Sequence, residues 1–181
     1  KKDIRLGIYL QGWSESNGVR LSGKALDPDR QEEYNGIYRS WLTEVLSCYG
    51  EMVEVWFDGS LAIEVGDILQ RYAPHAMVFQ SKYATIRWVG NEEGIAPDPA
   101  WNSLDRYDGI SGVATQQHGD PDGNCWLPLE CDTVLRREWG WNSDLVANPL
   151  RSLDELMAVY YQSVGHGANL LINQAPNHQG W

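Results

Sequence analysis

The chain has 181 residues, 43% of them hydrophobic, which is enough apolar material for one domain with a core of ordinary size. Its formal net charge is -11 at pH 7, and this argues against binding to nucleic acid or to an anionic membrane surface. The three cysteines lack metal-ligand spacing, so they predict neither a zinc site nor a disulfide framework. A neutral ligand fits this composition better than a charged polymer.

The first half of the chain alternates between strand and helix patterns. Residues 4–10 predict a strand, and the apolar residues of 34–49 recur at the spacing of an amphipathic helix that Gly50 ends. Residues 52–57 predict a strand buried on both faces, because β-branched and aromatic residues fill it. A weaker helix pattern covers residues 61–72.

The second half continues the alternation. Residues 77–80 predict a short strand, and 85–89 either continue it or form another. Residues 95–124 show no period and predict a long loop, of the kind that often lies over a functional site. Residues 125–132 and 168–173 predict two further strands. Between them, Ser152 and Glu155 form a capping box that opens a helix. Its predicted apolar face consists of Leu153, Leu156, Met157, Tyr160 and Val164.

Strands that alternate with helices predict parallel βαβ units and an α/β fold. Four or five strands and three helices are about half of an eight-fold (β/α) barrel. A complete small doubly wound sheet fits this count too, but the Gly-rich phosphate loop that such folds often carry is missing from the sequence. We therefore expect a partial TIM-like barrel.

Acidic residues follow two of the predicted strands. Asp58 comes directly after residues 52–57, and Glu92 and Glu93 come shortly after residues 85–89. Because the carboxyl ends of parallel strands meet at one rim of a barrel, this predicts a carboxylate pair facing a shared pocket. Two carboxyl groups beside an anomeric carbon are what glycoside hydrolysis needs. The pattern alone favours a more ordinary alternative, in which Asp58 caps the next helix and both glutamates are solvated.

Tryptophan and histidine also bear on the ligand. Nine tryptophans are present, several beside Gly, Asn or Pro in predicted loops. Their rings suit the C–H faces of a sugar, although core packing explains any single one equally well. The histidines have no metal-ligand spacing; they are His75, His118, His166 and His178. We predict no metal site and no cofactor.

Four stretches of the chain resemble the catalytic domain of the α-L-fucosidases, glycoside hydrolase family 29. They are GIYL at residues 7–10, VWFDG at 55–59, IRWVGNE at 86–92 and LLIN at 170–173. The segments PLECD at 128–132 and WGWN at 139–142 are also similar to family segments. The resemblance implies that residues 1–181 are the C-terminal portion of a (β/α)8-type catalytic domain, and no second domain is seen within these residues.

The resemblance implies a retaining exo-α-L-fucosidase that works by double displacement. Asp58 matches the nucleophile of the family. Glu92 matches the acid/base of the subfamily that prefers α-1,3- or α-1,4-linked fucose. Glu93 is the alternative acid/base, because adjacent glutamates make the register easy to misjudge by one residue.

The same resemblance implies the residues that bind substrate. Trp56 and Arg87 match positions that line the fucose pocket, and Trp139 and Trp141 lie where the family places aromatic contacts to the sugar. Glu130 is either a pocket carboxylate or a structural one. The implied substrate is a fucosylated oligosaccharide or glycoconjugate.

Neither nucleic acid nor membrane insertion is expected, and no apolar run is long enough to span a bilayer. Since the histidines that bind fucose in the family come from earlier strands, a partner domain or chain that completes the barrel is expected. Two alternatives stay open. One is a carbohydrate-binding domain without turnover, and the other is a structural half-barrel that dimerises to close its edges.

Overall fold

Parallel strands form the framework of both structural units of the chain. The computed structural model describes residues 4–104, 118–144 and 146–180. The first unit contains the described residues up to Ile86, and the second contains those from Arg87 onward. Each unit has one three-stranded sheet in which every pairing is parallel. The predicted α/β class with parallel strands is therefore confirmed in both units.

The first unit is built from three strands and two α-helices in alternation. They are β1 (Leu6–Tyr9), α1 (Gln31–Cys48), β2 (Met52–Trp56), α2 (Gly66–Tyr72) and β3 (Met77–Phe79). The sheet order is β1-β2-β3, so β2 is the central strand. Strand β1 lies at an edge of this sheet, and its Leu6 is 48% exposed.

Helix α1 follows from its apolar spacing. Its buried residues are Tyr34, Tyr38, Leu42 and Leu46, which recur every four positions along one face. Tyr38 also donates its hydroxyl to the carbonyl oxygen of Leu10 at 2.8 Å, which ties the helix to the end of β1. Gly50 has a φ of 100°, in the left-handed region that is usual just after a helix. The predicted helix and its glycine stop are confirmed.

Helix α2 is shorter than predicted, because it begins at Gly66 rather than at residue 61. Leu61, Ile63 and Val65 are buried, whereas the residues between them are exposed. This alternation has the period of extended chain, which buries every second side chain. The first part of the predicted helix is therefore an extended segment that contributes to the core of the first unit.

The second unit contains five short or medium strands and one α-helix among its described residues. These elements are β4 (Arg87–Trp88), β5 (Ser103–Leu104), β6 (Cys125–Trp126), β7 (Leu129–Val134), α3 (Leu153–Ser163) and β8 (Asn169–Asn173). The parallel sheet has the order β4-β7-β8. All six residues of β7 are buried, as expected for a strand with neighbours on both sides.

Two predictions for this unit need correction. Residues 125–132, predicted as one strand, form β6 and the start of β7 with a break at Pro128. Proline has no N–H to donate to a sheet ladder, so the strand is interrupted there. The predicted loop at 95–124 contains β5, which pairs antiparallel with β6. Residues 105–117 of that predicted loop lie outside the described residues.

Helix α3 begins with the predicted capping box, since Ser152 and Glu155 make both of its hydrogen bonds. The predicted apolar face is largely exposed, since Leu153 is 73% and Tyr160 47% exposed. The buried residues of the helix are Val159 and Ser163 instead. Small side chains are therefore the buried ones in this helix. No described helix is both long enough and apolar enough to cross a membrane.

Candidate active site

The carboxylate of Asp58 lies two residues after the end of the central strand β2. Gly59 and Ser60 then turn the chain through left-handed conformations, with φ values of 72° and 61°. The turn is fixed from the neighbouring strand, because the Ser60 N–H donates to Oε1 of Gln80 at 3.1 Å. Strand β2 before Asp58 and the turn after it therefore fix the position of this residue at the carboxyl end of the parallel sheet.

Tyr9, at the end of β1, donates its hydroxyl to Oδ2 of Asp58 at 2.7 Å. Burial raises the pKa of Tyr9, and the hydrogen bond and charge of Asp58 raise it further, so the phenol stays a donor at neutral pH. The alternative prediction that Asp58 caps the next helix is wrong. Helix α2 begins only at Gly66, and its N-cap residue Val65 makes no side-chain capping bond.

Three aromatic rings form a row beside Asp58. Tyr9, Trp56 and Phe79 occupy paired positions on β1, β2 and β3. The Trp56 ring stacks on Phe79 with centroids 3.9 Å apart, and Tyr9 stacks on Trp56 at 5.4 Å. Phe79 is fully buried and Trp56 lies between the other two rings, so Tyr9, which is 51% exposed, forms the open end of this row beside the half-buried carboxylate. An exposed aromatic ring at that place suits the C–H face of a sugar.

Sequence reasoning missed Tyr9 as a site residue, although it belongs to the GIYL stretch. The strand register indicates this role, because a strand that is parallel and adjacent to β2 ends at the same edge of the sheet. Tyr9 pairs with Trp56, only two residues before Asp58. A hydroxyl at that position is within reach of the carboxylate.

The second unit holds Glu92 and Glu93 on a loop between two glycines of positive φ, Gly90 at 92° and Gly94 at 75°. Asn91 shapes this loop, because its side chain donates to the carbonyl oxygen of Ile95 at 2.9 Å and accepts from the Glu93 N–H at 3.1 Å. Both glutamates are exposed. A glutamate side chain is longer than that of Asp58, and a loop backbone constrains its position less than the end of a strand does.

The two glutamates differ in their partners. Oε2 of Glu92 accepts a hydrogen bond from the indole Nε1 of Trp139 at 2.9 Å. Within the part of the chain that the structure describes, no side chain hydrogen-bonds to the Glu93 carboxylate. Trp141, in the same predicted sugar-contact segment as Trp139, is half-buried, and its indole N–H has no partner among the described residues.

Asp132 on β7 is a second carboxyl group near Glu92 that sequence reasoning did not single out. It is 2% exposed, and its Oδ1 accepts from Nε1 of Trp88 at 2.6 Å. Burial raises the pKa of Asp132 to about 6, and the negative charges of Glu92 and Glu130 add to this effect, against the Trp88 bond. The signal in the sequence was its place at the end of the predicted strand 125–132.

Arg87 and Glu130 lie in the interior of the second unit. Arg87 is 2% exposed, and its guanidinium donates to the carbonyl oxygens of Trp101 at 2.7 Å and Leu127 at 3.2 Å. Glu130 is fully buried and accepts from the Asn169 side chain at 2.6 Å. Of the two roles left open for Glu130, a structural one fits this burial better. Contact of Arg87 with a sugar stays a prediction.

The predicted site residues thus fall into two local groups. Asp58 and Trp56 belong to the first unit, together with Tyr9. The second unit contains Arg87, Glu92, Glu130, Trp139 and Trp141. Among the described residues, no group of three His, Cys, Asp or Glu side chains is arranged to hold a metal ion. Each group pairs a candidate catalytic carboxylate with an aromatic donor, and acid–base or nucleophilic chemistry is what such carboxylates can perform.

Comparison with known proteins places the chain in one family. The profile of the alpha-L-fucosidase family matches residues 1–181. Alpha-L-fucosidase 1 of Arabidopsis thaliana is 33% identical over 98% of the chain, and the alignment covers 35% of that protein. The chain therefore spans about a third of the length of the curated relatives it matches.

Solved structures agree with this assignment. A putative alpha-L-fucosidase from Bacteroides thetaiotaomicron superposes on the chain with a TM-score of 0.83 at 29% identity. The match covers 96% of this chain and 44% of the Bacteroides chain. A glycoside hydrolase family 29 fucosidase from Ruminococcus gnavus, solved in complex with fucose, gives a TM-score of 0.72 at 28% identity, covering 96% and 41%. The chain belongs to the α-L-fucosidase family, glycoside hydrolase family 29.

Proposed function

We propose that the chain is part of a retaining exo-α-L-fucosidase, which removes terminal α-L-fucose from glycans by double displacement. The observation that carries this is Asp58. It is fixed at the carboxyl end of a central parallel strand, bonded to Tyr9 and flanked by stacked aromatic rings, in a chain that its family profile matches throughout. A rigid, half-buried carboxylate beside aromatic side chains suits attack on the anomeric carbon of a bound sugar.

In the first step, the carboxylate of Asp58 attacks the anomeric carbon and the bond to the leaving oxygen breaks. Oδ2 is already engaged by Tyr9, which leaves Oδ1 for the new bond. Glu92 gives its proton to the leaving oxygen. In the second step Glu92 takes a proton from water, and the hydroxyl so formed displaces Asp58 and releases fucose.

Glu92 is preferred to Glu93 as the acid/base because of its partner. The side chain of an exposed glutamate on a loop needs a partner that fixes its orientation, and Trp139 donates a hydrogen bond to Glu92. The similarity of IRWVGNE to the α-1,3/4-preferring subfamily supports the same choice, and we propose that linkage preference with it. We further propose that Trp56, Trp139 and Trp141 contact the sugar.

Arg87 is proposed to shape the fucose pocket, and Glu130 to support it. Both are buried, and the bonds of Arg87 to two main-chain carbonyls hold the segments that contain Trp101 and Leu127. We also propose that the parallel sheets are portions of a TIM-like (β/α) barrel that other strands complete. Exposed apolar residues on edge strands support this, since Leu6 on β1 is 48% and Ile172 on β8 is 42% exposed.

The test is hydrolysis of an activated aryl α-L-fucoside and of a fucosylated oligosaccharide by the natural polypeptide. Release of fucose from both, abolished by Asp58→Ala, is the expected result. Fucose binding by calorimetry without product release from either substrate would indicate a carbohydrate-binding domain instead. A dimer by light scattering with no affinity for fucose would indicate a structural half-barrel.

A further inference from the structure

We infer that Trp139 is a positioning residue for the acid/base. Its indole N–H fixes the Glu92 carboxylate, and Asn173 holds the loop that contains Trp139. The inference rests on the proposed function and assigns Trp139 a task beyond contact with the sugar. Family resemblance predicted only that contact.

The first observation is the hydrogen bond itself. Nε1 of Trp139 lies 2.9 Å from Oε2 of Glu92, across 47 residues of sequence. Glu92 is exposed and stands on a loop, so without this bond its three side-chain torsions are free to rotate. One donor on a rigid ring restricts that motion, and Trp has only two side-chain torsions of its own.

The second observation is the support behind Trp139. Nδ2 of Asn173 donates to the carbonyl oxygen of Trp139 at 2.7 Å. The main-chain oxygen of Asn173 also accepts from the Leu135 N–H at 2.9 Å. Asn173 is the last residue of β8 and pairs with Val134, so it is fixed by the sheet. It ties the loop to the sheet at two points, Leu135 and Trp139.

The indole of Trp139 also suits this position because of its chemistry. The N–H of tryptophan donates and has no acceptor, so it cannot take the proton of Glu92 or exchange roles with it. When Glu92 is protonated, a donor at Oε2 leaves the proton on Oε1. When Glu92 has given up its proton, the same bond becomes charge-assisted and stabilises the carboxylate. The indole thereby determines which oxygen faces the leaving group.

The experiment is Trp139→Phe in the natural polypeptide, which removes the N–H but keeps an aromatic face for the sugar. We expect kcat/KM to fall about 10- to 100-fold on a fucosylated oligosaccharide, because the oxygen of a sugar leaving group needs its proton. On a dinitrophenyl fucoside, whose leaving group needs little acid assistance, the loss is expected to stay below about threefold.

Two further variants make the result specific. Asn173→Ala keeps the indole but frees its loop, and we expect the same dependence on leaving group with a smaller loss. Trp126→Phe is the matched control, since Trp126 is 73% exposed on β6 and has no part in the site, and its kinetics should not change.

An equal loss of kcat/KM on both substrates for Trp139→Phe, with an unchanged melting temperature, would overturn the inference and leave Trp139 as a sugar contact alone. Failure of the proposed function is distinguishable from this. In that case the unmodified protein releases no fucose from either substrate, and the inference falls with it.

Discussion

The two candidate catalytic carboxylates are held in opposite ways. In the first unit, Asp58 is half-buried and follows a central strand, and its short side chain is placed by the backbone with one bond from Tyr9. In the second unit, Glu92 is exposed on a loop, and a single bond from Trp139 places its longer side chain. The difference fits a division of labour, because a nucleophile must stay at one point whereas an acid/base must serve two steps.

The largest expected effect comes from removing the fixed carboxylate. Asp58→Ala should lower kcat/KM by about 10⁴-fold or more on every fucoside, including activated aryl fucosides, because no covalent intermediate can form. Asp29→Ala, on the exposed turn before α1, is the matched control and should be neutral. Substantial activity of Asp58→Ala on an aryl fucoside would remove Asp58 from the mechanism.

The next effect separates the two adjacent glutamates. Glu92→Ala should lower kcat/KM by about 10²- to 10⁴-fold on a fucosylated oligosaccharide, yet by less than about tenfold on an aryl fucoside. Glu93→Ala should leave both within about threefold, since Glu93 lacks the indole partner. The reverse result would move the acid/base role to Glu93, and equal large losses in Asp58→Ala and Glu92→Ala on the aryl substrate would contradict the division of labour.

The third effect sharpens the contrast between the two aromatic donors. Tyr9→Phe removes the bond to Asp58 and should lower kcat/KM about tenfold to the same extent on good and poor leaving groups. The nucleophile takes part whatever the leaving group is. A loss confined to poor leaving groups would link Tyr9 to proton transfer instead.

The smallest effect concerns stability rather than rate. Asp132 keeps its proton in the folded state up to a pKa of about 6, whereas an unfolded chain releases it near pH 4. The unfolded state therefore binds fewer protons between these values, so ionisation of Asp132 lowers the free energy of unfolding as pH rises through that window.

Asp132→Asn should remove this loss, and raise the free energy of unfolding at pH 7.5 by up to about 3 kcal/mol relative to the parent protein. Chemical denaturation at pH 4 and pH 7.5 measures the change. Asp122→Asn, on an exposed turn, is the control. A decrease in stability at pH 7.5 would show that the charged carboxylate is needed by Trp88.

Local patterns in the sequence predicted the elements that hold Asp58. Helix α1 and strand β2 follow from apolar spacing alone, and Asp58 follows from its place after β2. The start of α2 was mistaken because Leu61, Ile63 and Val65 are apolar at a spacing of two, which a helix pattern allows only weakly. The exposed face of α3 could not be foreseen, since periodicity shows that a face is apolar but not whether this chain covers it.

The donors could not be predicted for a different reason. Tyr9 and Asp58 are 49 residues apart, and Trp139 and Glu92 are 47 residues apart. The first contact depends on strand register and the second on the path of a loop, which is fixed by Asn173. Neither leaves a local periodicity in the sequence. The strand pattern singled out the carboxylates, and the resemblance to family segments assigned roles to them but assigned Trp139 only to the sugar.

The identity of the nucleophile is the central claim, and covalent trapping tests it directly. A 2-deoxy-2-fluoro-α-L-fucosyl donor with a good leaving group forms the intermediate in a retaining fucosidase and slows its breakdown, because the fluorine destabilises the charged transition state. After incubation and proteolysis, mass spectrometry should find the fluorofucosyl ester on Asp58 alone. An ester on another carboxylate, or fucose release by a protein that the reagent never labels, would contradict the assignment.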